Sequence, residues 1–196
     1  MIFIEWIEAL DIQLLLLING LSSPLLDNLM WTLSSKLFGV PFYLIFILIL
    51  FKNKPFRSAI TCTFLLVLVV VLSDLTAKYC FKEIFQRFRP SHNLILKDQL
   101  TFLNKPDGTF YIGGLYGFIS SHACNMFALS FLFYKYIKNK FPKSFWLLLF
   151  WASLISFSRI YLGVHFPSDV IVGGVVGIVI AQFLYYLSNE FRWAEC

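Results

Sequence analysis

Arg159, His165 and Asp169 fall inside one twelve-residue stretch, residues 158–169, that lies between two long apolar runs. Ionisable side chains at the edge of a bilayer are costly to desolvate, so they are functional candidates by default. A His with an Asp four residues on is a common way to orient and activate an imidazole. The plain alternative is a polar turn joining two spans, with Arg159 snorkelling to the headgroups.

Two other segments supply matching chemistry. Lys82 and Arg89 add two cations to Arg159, and Arg presents a planar fork suited to phosphate oxygens while Lys adds a point charge. Ser120 adds a hydroxyl, and a helix beginning near it would aim free N–H groups at an anion. These residues make a phosphate cradle with no metal ligands of its own, and no cofactor is expected. His122 and His165 flank it; one imidazole can attack phosphorus and the other can protonate the leaving oxygen. Only His165 has a carboxylate close by, so His165 is assigned as nucleophile, Asp169 as its partner and His122 as general acid. Taken singly, Lys82 or Arg89 is as well read as a headgroup contact, and His122 as a helix-to-helix hydrogen bond; His92 reads as structural.

The elements that must position them follow from composition. The chain has 196 residues, a formal charge of +5, 59% hydrophobic residues and 14% charged ones. Soluble domains carry about 25% charged residues. With several uncharged runs of span length, the chain reads as an all-α polytopic membrane bundle of five to six transmembrane helices. It forms one integral membrane domain over 1–196, with its motif-bearing part at 74–187. Basic residues sit in short loops, which excludes a nucleic-acid stripe. The start is acidic, so no cleavable signal is expected. Cys62, Cys80, Cys124 and Cys196 show no C-x-x-C pair and no metal-ligand spacing.

Residues 2–18 carry Glu5, Glu8 and Asp11 at spacings of three, which predicts a helix lying in the interface with those acids on one face. A second helix begins at Pro24, with its membrane core at 37–51 and a possible kink at Pro41. A span follows over 56–79; Asp74, Lys78 and Lys82 then share one helix face, and Asp74 calls for a partner inside the bundle. Residues 80–117 form one long polar segment, with a turn at 105–108, too long for an idle connection. Further spans cover 112–134, 144–162 and 167–187, the last with Gly173 and Gly177 at a G-x-x-x-G spacing.

The dense basic loops at 52–57 and 135–143 should be cytoplasmic by the positive-inside rule. Alternation of spans then carries Lys82, Arg89, Ser120, His122, Arg159, His165 and Asp169 to the opposite, outer face.

In this order, the three segments resemble the type 2 phosphatidic acid phosphatase (PAP2) superfamily of membrane lipid phosphatases. Its pattern is K-x6-R-P, P-S-G-H and S-R-x5-H-x3-D. The first is complete here as Lys82 to Arg89-Pro90, and the third as Ser158-Arg159, His165 and Asp169. The second is altered: Ile119-Ser120-Ser121-His122 keeps Ser and His but replaces Pro and Gly. The resemblance implies a small bacterial hydrolase of lipid metabolism: a metal-independent lipid phosphatase with a phosphohistidine intermediate. Lys82, Arg89, Ser120 and Arg159 would bind phosphate, and the hydroxyl of Ser121 could reach it where the family has Gly. It also implies a multi-pass protein of the bacterial inner membrane, with its site towards the periplasm or outside. Expected partners are the bilayer and a lipid phosphate such as undecaprenyl diphosphate or lipid A, with phosphatidylglycerophosphate or phosphatidate as the alternative; oligomeric state is left open.

Two other readings compete. A vanadate-dependent haloperoxidase shares this anion pocket but is soluble. A lipid-binding or lipid-transport protein needs the cations but has no use for the His165–Asp169 pair.

Overall fold

The computed structural model describes residues 2–105 and 108–191. Part of the expected turn at 105–108, and Cys196, lie outside these residues. The described residues are an all-helical bundle, with helices α1 (Ile2–Asn19), α2 (Pro24–Ser34), α3 (Lys36–Asn53), α4 (Phe56–Leu75), α5 (Glu83–Phe85), α6 (Ser121–Ile137), α7 (Ser144–Tyr161) and α8 (Pro167–Glu190). Three helices are each long and apolar enough to cross a membrane: the continuous rod Phe56–Phe85, α7 and α8. α1 and α2 pass that test as a pair bent by 117°, and α3 contributes a shorter apolar helix from Phe38. Leu17, Leu48, Phe64, Trp146 and Phe183 are exposed around the outside, as a lipid-facing surface requires.

α6 is the central helix, packed against α4, α7 and α8. Lipid is as apolar as leucine, so close packing rather than water exclusion must hold helices together here. Phe46 of α3 stacks on Phe133 of α6 with centroids 4.0 Å apart. The G-x-x-x-G pair provides the tightest approach: a Cβ on Gly173 would lie 2.8 Å from the Ser120 carbonyl oxygen, and one on Gly177 would lie 2.2 Å from that of Cys124. α8 is thus pressed against the first turns of α6.

Glu5 and Glu8 of α1 are exposed, as an interfacial acid face requires, but Asp11 is buried. Asn19 ends α1 and fastens it: its side-chain amide donates to the Thr101 and Tyr161 carbonyls at 2.9 and 2.8 Å and accepts from the Thr101 N–H at 2.8 Å. Pro41 lies inside α3 without ending it.

The end of α4 departs from the expected ladder. Thr76–Lys82 is a π-helical turn, whose wider winding moves residues off the four-residue face. Lys78 points outward, with Nζ 3.2 Å from the Tyr79 hydroxyl, while Lys82 turns inward. Asp74 makes no ion pair among the described residues and is exposed on a cavity wall instead of being paired inside the bundle.

Residues 86–105 and 108–120 form a cover at the α4 C-terminal end. Antiparallel bridges join Phe88 to Tyr116 and Asn104 to Phe110. Leu96 and Leu100 are buried with Leu15 of α1, which anchors the cover to the bundle.

Candidate active site

Four helix ends meet under this cover: the C-terminal ends of the α4 rod and α7, and the N-terminal ends of α6 and α8. Between them lies a cavity of about 850 Å³, lined by Lys82, Arg89, Ser121, His122, Arg159 and His165 among others. That volume falls in the range of small-molecule sites, about 300–1,000 Å³.

Each cation is held by neutral partners. Arg89 donates from Nε to the Tyr116 carbonyl at 3.1 Å and from one terminal nitrogen to the Val164 carbonyl at 3.4 Å. Arg159 donates to the Ser34 hydroxyl and, at 2.7 Å, to the Tyr111 hydroxyl. Its Nε is buried and has no partner among the described residues. Lys82 Nζ donates to Ser121 Oγ at 2.7 Å. Among the described residues none of the three is paired with a carboxylate. Burying positive charge without a counter-ion is expensive, so the cavity is built to receive an anion. Burial, with the nearby Arg159 charge, pulls Arg89 down to about 10, still protonated at neutral pH.

His165 sits in the turn between α7 and α8 and is almost wholly buried. Its Nδ1 lies 3.3 Å from Asp169 Oδ2, which also accepts the Phe166 N–H at 3.0 Å. The second contact is the helix-start geometry in which a third-position carboxylate reaches back to the capping residue, with Pro167 opening the helix. The four-residue spacing therefore works because α8 begins between the two side chains. Burial, then the charges of Arg89 and Arg159, hold the His165 pKa well below the usual imidazole range. That direction favours the neutral ring, the form that a nucleophilic imidazole needs.

Ser121 and His122 open α6 and line the cavity, but Ser120 does not. Ser120 is fully buried at the helix cap: its hydroxyl accepts the Ala123 N–H at 3.4 Å and its own N–H donates to the Asp169 carbonyl at 3.0 Å. These bonds join α6 to α8, while Ser121 lines the cavity. Asp169 likewise stands behind His165 and away from the cavity. Gly117 makes room for it, since a Cβ there would lie 2.9 Å from Asp169 Oδ2.

Several contributors escaped the sequence reading. Ser34 and Tyr111 hold Arg159 from 125 and 48 residues away. Arg87 reaches both Asp169 and Asp11, at 3.0 and 2.8 Å. A carboxylate in an apolar helix was the available signal for Asp11.

Residues 62–193 match the model of the PAP2 superfamily. The chain is similar to a lipid A 4'-phosphatase of Porphyromonas gingivalis, 36% identical over 98% of this chain and 80% of the relative. It is also similar to a lipid A 4'-phosphatase of Bacteroides thetaiotaomicron, 29% identical over 95% of this chain and 80% of the relative. Its fold matches the crystal structure of a transmembrane PAP2-type phosphatidylglycerolphosphate phosphatase from Bacillus subtilis with a TM-score of 0.71, at 20% identity over 94% of this chain and 87% of that one.

Proposed function

The chain belongs to the PAP2 superfamily and is a lipid phosphatase, and from that premise we propose that it hydrolyses a phosphate monoester on a lipid A-type glycolipid, using His165 as the nucleophile. The observation that carries the reaction is three cations that have no carboxylate partner among the described residues, gathered around one cavity, with an imidazole fixed by a buried carboxylate at its wall.

In this reading Lys82, Arg89 and Arg159 hold the non-bridging phosphate oxygens and stabilise the charge that develops during transfer. With Nδ1 tied to Asp169, His165 attacks through Nε2. The P–N bond forms as the P–O bond to the lipid breaks, and His122 gives its proton to the departing oxygen. Water then attacks phosphorus, His122 takes back a proton, and the P–N bond breaks to release inorganic phosphate. Arg159, clamped by Ser34 and Tyr111, holds its fork in place before substrate arrives.

The glycolipid preference is supported by the two relatives named lipid A 4'-phosphatase and by the cavity wall. Asp74, which has no ion pair among the described residues, lines the same cavity as Asn125, whose Oδ1 is buried without a hydrogen bond among the described residues. Acceptors next to a phosphate cradle suit the hydroxyl and amide donors of a sugar headgroup. A polyprenyl diphosphate offers no such donors beside its phosphates.

The orientation belongs to the same proposal. The basic loops at 52–57 and 135–143 lie at the helix ends remote from the cavity, which by the positive-inside rule supports a cavity at the outer leaflet of the bacterial inner membrane. A panel of purified lipid A, undecaprenyl diphosphate, phosphatidylglycerophosphate and phosphatidate tests the substrate. Highest kcat/KM on lipid A supports this reading, and highest kcat/KM on any other member would replace it.

A further inference from the structure

Asp169 has two carboxylate oxygens, and only one serves His165. Its Oδ1 accepts from Arg87 at 3.0 Å. The other arm of the Arg87 fork donates to Asp11 Oδ2 at 2.8 Å, across 76 residues of sequence. Ser168 closes the ring: its N–H donates to Asp11 Oδ1 at 2.8 Å, its hydroxyl donates to Asp11 Oδ2, and that hydroxyl accepts from Arg87 at 2.8 Å. The guanidinium also lies over the Phe166 ring, 4.1 Å from its centroid. Arg87 is therefore fixed on three sides by groups from α1 and from the start of α8.

We propose that Arg87, held in place by Asp11, is a positioning residue that fixes the Asp169 carboxylate behind His165, which makes the N-terminal helix a working part of the active site.

The Asp169 side chain is 0% exposed and that of Asp11 is 5% exposed, whereas that of Arg87 is 27% exposed. A buried carboxylate needs a cation, and a two-armed fork fixes its direction as well as its charge. Arg87 alone would favour whichever carboxylate moved towards it. With Asp11 on the other arm and the ring beneath, it presents one nitrogen to Asp169 Oδ1. Oδ2 is then left to His165 Nδ1 and the Phe166 N–H. Second partners of this kind set ring orientation and basicity at carboxylate–histidine sites, and their loss costs about 10–100-fold in activity at metal sites built the same way.

The charged groups facing His165 come from every element around it. They are Asp169 on α8, Arg89 in the cover, Arg159 on α7, Lys82 at the end of the α4 rod and His122 on α6, with Arg87 and Asp11 acting through Asp169. The two ends of the ring therefore act on the imidazole in opposite directions. Removing the Arg87 charge leaves Asp169 less neutralised and favours the protonated ring, so the acid limb of kcat/KM moves to higher pH. Removing the Asp11 charge leaves Arg87 less neutralised, and the limb moves to lower pH. A salt bridge that merely stitched α1 to α8 would cost stability in these variants without lowering kcat at an unchanged KM.

The test uses the full-length protein in detergent with a lipid phosphate substrate, comparing Arg87→Gln, Arg87→Lys, Asp11→Asn and His165→Ala with the wild type. The inference rests on the reaction proposed at His165, so the last variant separates the two. Expected are a fall in kcat of about 10–100-fold with little change in KM for Arg87→Gln and Asp11→Asn, partial rescue by Arg87→Lys, and acid limbs displaced in opposite directions. Unmoved limbs in both variants, beside an inactive His165→Ala, would overturn the positioning role alone. A His165→Ala protein that still turns over would overturn the reaction and this proposal with it.

Discussion

Lys82 Nζ lies 2.7 Å from Ser121 Oγ, which joins the inward end of a π-helical turn to the first residue of α6. Ser121 stands where the family pattern has Gly, and it is not among the non-glycine residues with positive φ, so the helix start is built without a glycine-only conformation. The hydroxyl instead holds Lys82 in the cavity before an anion binds. Ser121→Gly should keep kcat within a few-fold of wild type while raising KM, because Lys82 loses its resting partner. Steady-state kinetics on one lipid phosphate decide this, and a large fall in kcat with KM unmoved would assign the hydroxyl to the chemical step.

The pH profile should carry the mark of the cavity's charge. His165 is held well below the usual imidazole pKa by burial, then by Arg89 and Arg159. A lowered pKa keeps the ring neutral to more acid pH, so the acid limb of kcat/KM should lie below about pH 6.5, the unperturbed value. Arg89→Gln removes one of the repelling charges, so the residual activity should show its limb at higher pH. A limb that stays put, or moves down, would mean that another group sets it.

Packing sets the site from a distance. A Cβ on Gly177 would meet the Cys124 carbonyl at 2.2 Å, and backbone cannot rotate away as a side chain can. Gly177→Ala should push α8 off α6 and stretch the 3.0 Å bond from the Ser120 N–H to the Asp169 carbonyl. Thermal unfolding in detergent should show a loss of about 1–3 kcal/mol, the usual cost of overpacking, with activity falling as well. Unchanged stability would show that the helices tolerate separation there.

Orientation is open to direct labelling. Lys97 lies in the cover over the site, and Cys80 is exposed in the π-helical turn. In a chain with its own cysteines replaced, Lys97→Cys should react with a membrane-impermeant maleimide on intact spheroplasts. Reaction only after lysis would place the site in the cytoplasm.

Much of this site was legible in the sequence because its parts are local. Asp169 reaches His165 across one helical turn, and Lys82 and Arg89 stand either side of the end of the α4 rod. Span order alone brought these segments to one end of the bundle. What stayed hidden depends on winding or on distant partners. Nothing in the spacing of Asp74, Lys78 and Lys82 announces a π-helical turn, so the shared face was expected and is not found. Asp11 was grouped with Glu5 and Glu8 by period, yet its partner Arg87 comes from the cover. Ser120 carried the family's phosphate-binding position but lies buried at the helix cap, with Ser121 on the cavity side.

The central claim is that phosphate passes through His165, and trapping that intermediate tests it most directly. Purified protein is mixed with lipid carrying radiolabelled phosphate, quenched in alkali, digested and mapped. A label that is stable to base and labile to acid should appear on the peptide holding His165. It should be absent from His165→Ala and should persist longer in His122→Ala. A label on any other residue, or phosphate release by His165→Ala at the wild-type rate, would contradict the account.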